Sequence, residues 1–118
     1  MAFIKTFLPA NLSGYATETY VDNAVQMRIS SGTALEFTQD TQYGSTSTPE
    51  TGNFTFTNVG AIPGTVNVCI HNNGTAPTFA AGFVEDVSSQ AYATGQLNYI
   101  FFFYFDSTHV LYRITQQV

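Results

Sequence analysis

Two side chains that could take part in chemistry stand on one predicted strand. Cys69 and His71 are two residues apart in the alternating segment 65–71, and residues i and i+2 of a strand share a face. A thiol beside an imidazole could act as nucleophile and base, but such a pair also needs an orienting acid and an oxyanion site. As metal ligands they supply only two of the four positions of a structural zinc. We therefore interpret this face as a structural surface of small and polar side chains.

The carboxylates do not form a pattern for acid–base catalysis either. Glu85 and Asp86 are adjacent, so on a strand they point to opposite faces and do not converge. Asp106 opens a turn that ends at His109, where its side chain can accept hydrogen bonds from backbone amides. The sequence contains no nucleophile elbow, phosphate-binding glycine loop or HExxH helix. We predict a protein that is not an enzyme and that uses no metal and no cofactor.

The composition excludes several other classes of protein. The 118 residues include 8 acidic and 3 basic ones, for a formal net charge of −5, while 44% are hydrophobic and 15% aromatic. Three cations cannot neutralise a track of phosphates or dock the chain on an anionic membrane. So much apolar surface is incompatible with a disordered chain. We expect one compact domain without nucleic-acid or membrane partners, part of whose surface is buried in an assembly.

Residues 1–32 contain the helix-type pattern of the chain. A threonine cap and a following glutamate precede a run of good helix formers, and one apolar stripe recurs every four residues. Its members are Val21, Val25 and Ile29. The segment before this short helix predicts an extended arm, which either packs on its own domain or reaches a neighbour. Its apolar anchors are Phe3, Ile4, Phe7 and Leu8.

From residue 33 to residue 118 the hydrophobic period changes to two, which predicts about six or seven strands. Their spacing is typical of a sandwich or a jelly-roll. We therefore expect an all-β fold: an antiparallel sandwich or jelly-roll-like domain over 33–118, with the arm and one short helix over 1–32. The segment 65–71 alternates between two faces, one carrying Val66, Val68 and Ile70 and the other Asn67, Cys69 and His71.

The two last strands, 97–105 and 110–116, form a predicted hairpin whose first strand is apolar on both faces. One face carries Tyr99, Phe101, Phe103 and Phe105, and the other carries Ile100, Phe102 and Tyr104. A strand with one solvated face alternates with polar residues instead, so we expect both faces to be covered. The cover is either a second layer of the same chain or another subunit. We favour a subunit interface, because a domain of this size has little material for a second layer.

We assign the subunit interface to a small set of side chains. It comprises Ile100, Phe102 and Tyr104 or their alternating partners, together with Val21, Val25 and Ile29 of the predicted helix. Replacing Phe102 by Asp is then expected to abolish the oligomer.

Two stretches carry a resemblance to structural proteins of tailed-phage virions. The segment 16–25, ATETYVDNAV, resembles the T-Y-V-D-x-A-V helix that precedes β-rich modules in phage tail fibres. The segments 73–79 and 98–112 are similar to a phage β-module in which G-T-A-P-T precedes a strand, an F-x-Y-D-G-T hairpin and an aromatic residue. Here Ser107 stands in place of the turn glycine, and His109 lengthens the turn.

The resemblance implies a virion component, assembled in the host cytoplasm, that is commonly a homotrimer and has no catalytic residues. Such modules occur on tail fibres, on head fibres and in proteins that decorate capsids. The short chain, with room for one module besides its arm and helix, favours a trimeric capsid decoration (cement) protein. Its arm would contact the major capsid protein or another virion protein. The alternative is a short tail or head fibre that binds a host cell-surface glycan.

Overall fold

The structure is a computed structural model that describes residues 27–116. Within this range every regular element is a β-strand. The strands are β1 (Arg28–Ser30), β2 (Ala34–Glu36), β3 (Thr41–Tyr43), β4 (Thr55–Thr57), β5 (Val66–His71), β6 (Phe83–Glu85), β7 (Asn98–Asp106) and β8 (His109–Gln116).

From Arg28 onward the described strands wind into about three turns of a β-solenoid. On one side β1, β3 and β5 stack in parallel. On the other side β2 and β4 stack in parallel, and the segment around Phe79 adds a third rung. There the amide of Phe54 donates to the carbonyl of Thr78 at 2.9 Å, and the amide of Ala80 donates to the carbonyl of Phe54 at 3.0 Å.

A long hairpin closes the stack. Strand β7 pairs antiparallel with both β5 and β8, and β6 joins the outer edge of β8 in parallel. The result is a six-stranded mixed sheet in the order β1-β3-β5-β7-β8-β6, opposite the two-stranded sheet β2-β4. The hairpin predicted from the sequence is confirmed. At its turn Asp106 accepts hydrogen bonds from the backbone amide and hydroxyl of Thr108, and these bonds hold the pKa of the Asp106 carboxyl below its usual value.

The predicted antiparallel sandwich or jelly-roll is wrong. Of the six strand pairs in the described chain, four are parallel, and the strands coil as a solenoid. A two-residue period shows which side chains share a face, but it carries no information on which strand is the neighbour. Connections of this length can close one coil of a solenoid as readily as they can cross between the sheets of a sandwich.

The predicted helix is also corrected at its C-terminal end. It was expected to run through Ile29, but Arg28–Ser30 forms strand β1 in parallel register with β3. The amide of Arg28 donates to the carbonyl of Asp40, and the amide of Gly44 donates to the carbonyl of Ser30. This pairing outweighs the local helix propensity, which is a weak determinant. Val21, Val25 and the arm residues Phe3, Ile4, Phe7 and Leu8 lie outside the described residues, and the division at residue 32 stays a prediction.

The core lies between the two sheets and is largely aromatic. Phe102 of β7 is fully buried, and its ring centroid lies 5.0 Å from that of Phe54, 5.6 Å from that of Phe83 and 6.3 Å from that of Phe79. Leu35 and Phe37 from the first coil are buried in the same cluster. Each coil of the solenoid therefore contributes to one continuous core.

We expect the Phe102→Ala variant to lose about 3–5 kcal/mol of unfolding free energy, because it leaves a cavity among these rings. Urea denaturation followed by tyrosine fluorescence measures the loss. The exposed Val87 gives the matched control, since Val87→Ala is expected to stay within about 0.5 kcal/mol of the parent. Because Phe102 is fully buried, the Phe102→Asp variant should fail to fold. This variant therefore cannot test whether Phe102 takes part in an oligomer. Equal stability of the Phe102→Ala variant and the parent would contradict this core.

Candidate functional site

Strand β5 has its polarity reversed relative to an ordinary half-buried strand. Asn67, Cys69 and His71 are fully buried on its inner face, whereas Val66 and Val68 are only partly buried on its outer face. The predicted alternation of the two faces is confirmed. The side that faces the core, however, is the one that carries the polar groups.

Strand β7 presents an aromatic row on the same outer face. Phe101, Phe103 and Phe105 are 38%, 37% and 51% exposed, and the rings of Phe103 and Phe105 lie 4.7 Å apart. The structure places Ile100, Phe102 and Tyr104 on the opposite face, inside the core of the chain. Phe101, Phe103 and Phe105, which alternate with them along β7, are therefore side chains that another molecule can contact.

Pairing register extends this row across the whole sheet. Phe101 lies between Val68 and Arg113, and Phe103 lies between Val66 and Leu111. We call this surface the outer face and define it by its exposed or partly exposed members. They are Ile29 on β1, Gln42 on β3, Val66 and Val68 on β5, Tyr99, Phe101, Phe103 and Phe105 on β7, Leu111, Arg113 and Thr115 on β8, and Val84 on β6.

A shallow groove of about 390 Å³ runs over the outer face beside the aromatic row. The guanidinium carbon of Arg113 lies 5.6 Å from the centre of the Phe101 ring, a cation–π arrangement. Asp86 lines the groove at its rim. The Ser88 hydroxyl and amide, which donate to the Asp86 carboxylate, hold the pKa of this group below its usual value, and Arg113 adds to the effect. The groove is suited to apolar contact bordered by charge, and no group in it is set up for proton transfer.

Cys69 and His71 do not form a reactive pair. Nε2 of His71 donates to the carbonyl of Gly52 at 2.8 Å, so Nδ1 is the acceptor for the Tyr92 hydroxyl at 2.6 Å. The Tyr92 oxygen in turn accepts the amide of Asn73 at 2.9 Å. Burial lowers the pKa of His71 and raises the pKa of the Cys69 thiol. The imidazole is therefore neutral and connects the end of β5 with two loops, and the thiol is unreactive.

Buried amides hold the coils in the same way. Asn98 donates through Nδ2 to the carbonyls of Ala93 and Gln96, and its Oδ1 accepts the amide of Ala93 and the Nε2 of Gln116. Asn67 donates to the carbonyl of Glu36 at 2.8 Å. These bonds satisfy loop and strand backbone groups inside the solenoid. The interpretation of the inner face as structural is consistent with this geometry.

Ile29 of the predicted interface lies on the outer face and is 69% exposed, although on a strand instead of a helix. The sequence analysis did not assign Val66, Val68, Leu111 or Val84 to an interface. The alternation in 65–71 was available, but an alternating strand ordinarily buries its apolar face and solvates its polar face. The sequence pattern therefore gave no signal that Val66 and Val68 lie outside.

The described residues contain no group of three or more His, Cys, Asp or Glu side chains placed to hold a metal ion. No helix within 27–116 is long and apolar enough to cross a membrane. Comparison of the chain with protein-family models, curated proteins and solved structures gives no match.

We expect acid to destabilise the fold through His71. Its pKa in the folded chain is below the ordinary value of about 6.5 that the unfolded chain has. Between these two pKa values the unfolded state binds the proton and the folded state does not. Unfolding free energy should therefore fall as the pH drops from about 7 through 6 towards the folded-state pKa. Urea titrations at a series of pH values measure this slope.

Substitutions at the two histidines separate this effect from general acid sensitivity. His71→Gln keeps a donor and an acceptor and should flatten the slope between about pH 7 and 5. His109→Gln, in the exposed hairpin turn, provides the matched histidine substitution with which the His71→Gln slope is compared. An undiminished slope in the His71→Gln protein would show that another group is responsible.

Proposed function

We propose that this chain is a structural component of a phage virion, a homotrimeric capsid decoration protein that stabilises the shell. The observation that carries the proposal is the outer face, an apolar surface on a six-stranded sheet with polar groups packed on the inside. The largest apolar patch on a protein surface is often a site of interaction with other molecules. A row of aromatic side chains on a sheet is an aggregation hazard unless an assembly covers it.

The packing of the motif stretches supports the virion assignment. Phe79, which follows the G-T-A-P-T segment, stacks on Tyr112, the aromatic residue that ends the second stretch. Their ring centroids are 4.0 Å apart and the ring planes differ by 11°. Asp106 organises the turn between β7 and β8, where its carboxylate accepts hydrogen bonds from the Thr108 amide and from Nδ1 of His109. Phe79 and Tyr112, from the two segments of the β-module pattern, are thus packed against each other.

A decoration protein acts by adding buried surface between neighbouring capsid subunits. The arm residues Phe3, Ile4, Phe7 and Leu8 supply apolar anchors for the major capsid protein, and the oligomer joins several such anchors into one particle. Linked anchors bind far more tightly than single ones, because the second contact forms at a high effective concentration. The shell would gain resistance to heat and to internal pressure.

One observation favours the alternative, a short tail or head fibre that binds a host glycan. A hollow of about 180 Å³ lies at the β1–β3 side of the sheet. Its lining includes four hydroxyl-bearing residues and one carboxylate beside apolar surface, and it consists of Ile29, Ser30, Ser31, Gly44, Ser45, Thr48 and Glu50. Such groups can hydrogen-bond the hydroxyls of a sugar. Adsorption of phage to cells that is blocked by excess purified protein would favour this alternative over decoration.

The decoration role predicts that purified protein binds preformed capsids lacking it and raises the temperature at which they release DNA. Removing two anchors in the Phe3→Ser/Phe7→Ser variant should weaken this binding while leaving the oligomer intact. Co-sedimentation with capsids and a dye-release melting curve measure the two effects. Binding to tails or cells alone, without any binding to capsids, would reject the role.

The homo-oligomer depends on the outer face, so Phe103→Asp should yield a soluble monomer. A carboxylate in the centre of an apolar contact is left desolvated and unpaired, which is costly. Val87→Asp places the same charge at an exposed apolar position outside the sheet and should leave the trimer unchanged. Light scattering coupled to gel filtration gives the mass. An unaltered oligomer in the Phe103→Asp protein, or a monomeric parent, would contradict the proposal.

A further inference from the structure

The turn after β5 contains the one Asn-Gly pair of the sequence, Asn73-Gly74. It lies two residues beyond His71, the last residue of β5. Asn73 is half-buried and Gly74 is exposed. The side-chain oxygen Oδ1 of Asn73 accepts a hydrogen bond from the backbone amide of Gly74 at 2.9 Å. The asparagine side chain is therefore held against the backbone nitrogen that follows it.

This contact brings a nucleophilic atom close to a carbonyl carbon. Because Oδ1 is bonded to Cγ at about 1.2 Å, Cγ of Asn73 lies within about 4 Å of the Gly74 nitrogen. Reacting atoms in a near-attack geometry are about 3–3.5 Å apart, so a small rotation of the side chain completes the approach. A bond between this nitrogen and Cγ closes a five-membered ring.

The backbone of Asn73 is fixed on both sides of its Cα atom. Its amide donates to the Tyr92 hydroxyl oxygen at 2.9 Å, and its carbonyl accepts the amide of Gly95 at 2.8 Å. The orientation of this carbonyl determines where the next nitrogen, that of Gly74, stands relative to the Asn73 side chain. The fold thus holds the two reacting groups together, which removes much of the entropic cost of bringing them into position.

Gly74 presents no steric obstacle to ring closure. Glycine has no side chain to collide with the ring that forms on its nitrogen, and it allows close approach of the backbone. The space around Gly74 is also open, since a Cβ atom added there would meet no other part of the described chain within 4 Å. Water and hydroxide can therefore reach the site.

Three asparagines elsewhere in the described chain lack this arrangement. The side-chain oxygens of Asn53, Asn58 and Asn98 accept hydrogen bonds from groups several residues away. Each of the three is also followed by a bulky residue, namely phenylalanine, valine or tyrosine. Both features oppose attack by the following amide, so the turn after β5 is chemically distinct from these positions.

We propose that Asn73 is a site of spontaneous deamidation in the folded protein. Hydroxide removes the proton from the Gly74 amide, and the nitrogen forms a bond to Cγ of Asn73. The bond from Cγ to Nδ2 then breaks, and Nδ2 leaves as ammonia after taking a proton from water. Water opens the resulting succinimide at either of its carbonyls, giving aspartate or isoaspartate. The net reaction consumes one water and releases one ammonia, and it does not depend on the proposed function.

The isoaspartate product is expected to loosen the contact between the end of β5 and the loop before β7. Its main chain runs through Cβ and Cγ, and the former main-chain carbonyl becomes a free carboxylate. That carbonyl is the acceptor for Gly95, and the amide of Asn73 holds the Tyr92 hydroxyl that donates to His71. The modified chain should therefore unfold at a lower urea concentration than the fresh chain.

Incubation of the folded full-length chain at neutral and mildly alkaline pH tests the proposal. Peptic digestion at acid pH and mass spectrometry locate the conversion of amide to carboxyl, and enzymatic methylation detects isoaspartate. The product should accumulate at Asn73 before any other asparagine, and faster at the higher pH. The chain unfolded in guanidinium chloride is the reference, because an Asn-Gly pair also reacts in a peptide. A folded-state rate more than about tenfold below that reference would show that the fold prevents the attack, and it would overturn the proposal.

Two variants at the site and one beside it provide the controls. Gly74→Ala is compatible with the fold, because the φ of Gly74 is not positive and the space is open, but its methyl group hinders ring closure. Asn73→Gln keeps an amide and would need a six-membered ring. Both should lower the yield of isoaspartate severalfold, whereas Asn72→Gln should leave it unchanged. Equal yields from the parent and Gly74→Ala, or loss of the product in Asn72→Gln, would overturn the assignment.

Discussion

The pairing of β5 with β7 determines which side chains the whole fold buries. Cys69 stands opposite Ile100 and Asn67 opposite Phe102, so these residues share the inner face. A shift of one residue would exchange the two faces of β5 relative to its neighbours. It would move Val66 and Val68 into the core and expose Asn67 and His71. Everything that follows, including the apolar exterior, depends on this register.

An interior with polar groups is stable here because its hydrogen bonds are nearly complete. The imidazole of His71 uses both ring nitrogens, and the amide of Asn98 holds the loop before β7 as well as Gln116. Among the described side chains, Oδ1 of Asn67 is a buried acceptor without a partner, a group whose desolvation costs about 1–3 kcal/mol. The aromatic contacts around Phe102 offset such costs. The solenoid can therefore keep its shape without contributions from the outer face.

Local patterns in the sequence predicted the strands of the second half, the final hairpin and the two faces of 65–71. These patterns failed where the structure of a segment depends on which strand it pairs with. Helix-type spacing extends to Ile29, but pairing with β3 makes Arg28–Ser30 a strand. The same alternation fits a sandwich and a solenoid, because the two-residue period of the side chains does not show which strands are neighbours. The sequence showed that the strand 97–105 is apolar on both faces. It could not show which face is exposed, since Phe101 and Phe102 are the same residue type.

The energy available on the outer face explains why the flanks are needed as well as the aromatic row. Each Phe side chain offers 150–250 Å², so the three partly exposed rings together leave roughly 250 Å² to bury, worth about 6 kcal/mol at 25 cal/mol per Å². Association costs an estimated 4–15 kcal/mol in lost freedom, so the row alone gives weak binding at best. The valines of β5, Leu111 of β8 and Ile29 of β1 add the remaining apolar area. A stable contact between copies therefore requires burial of both flanks as well as the aromatic row.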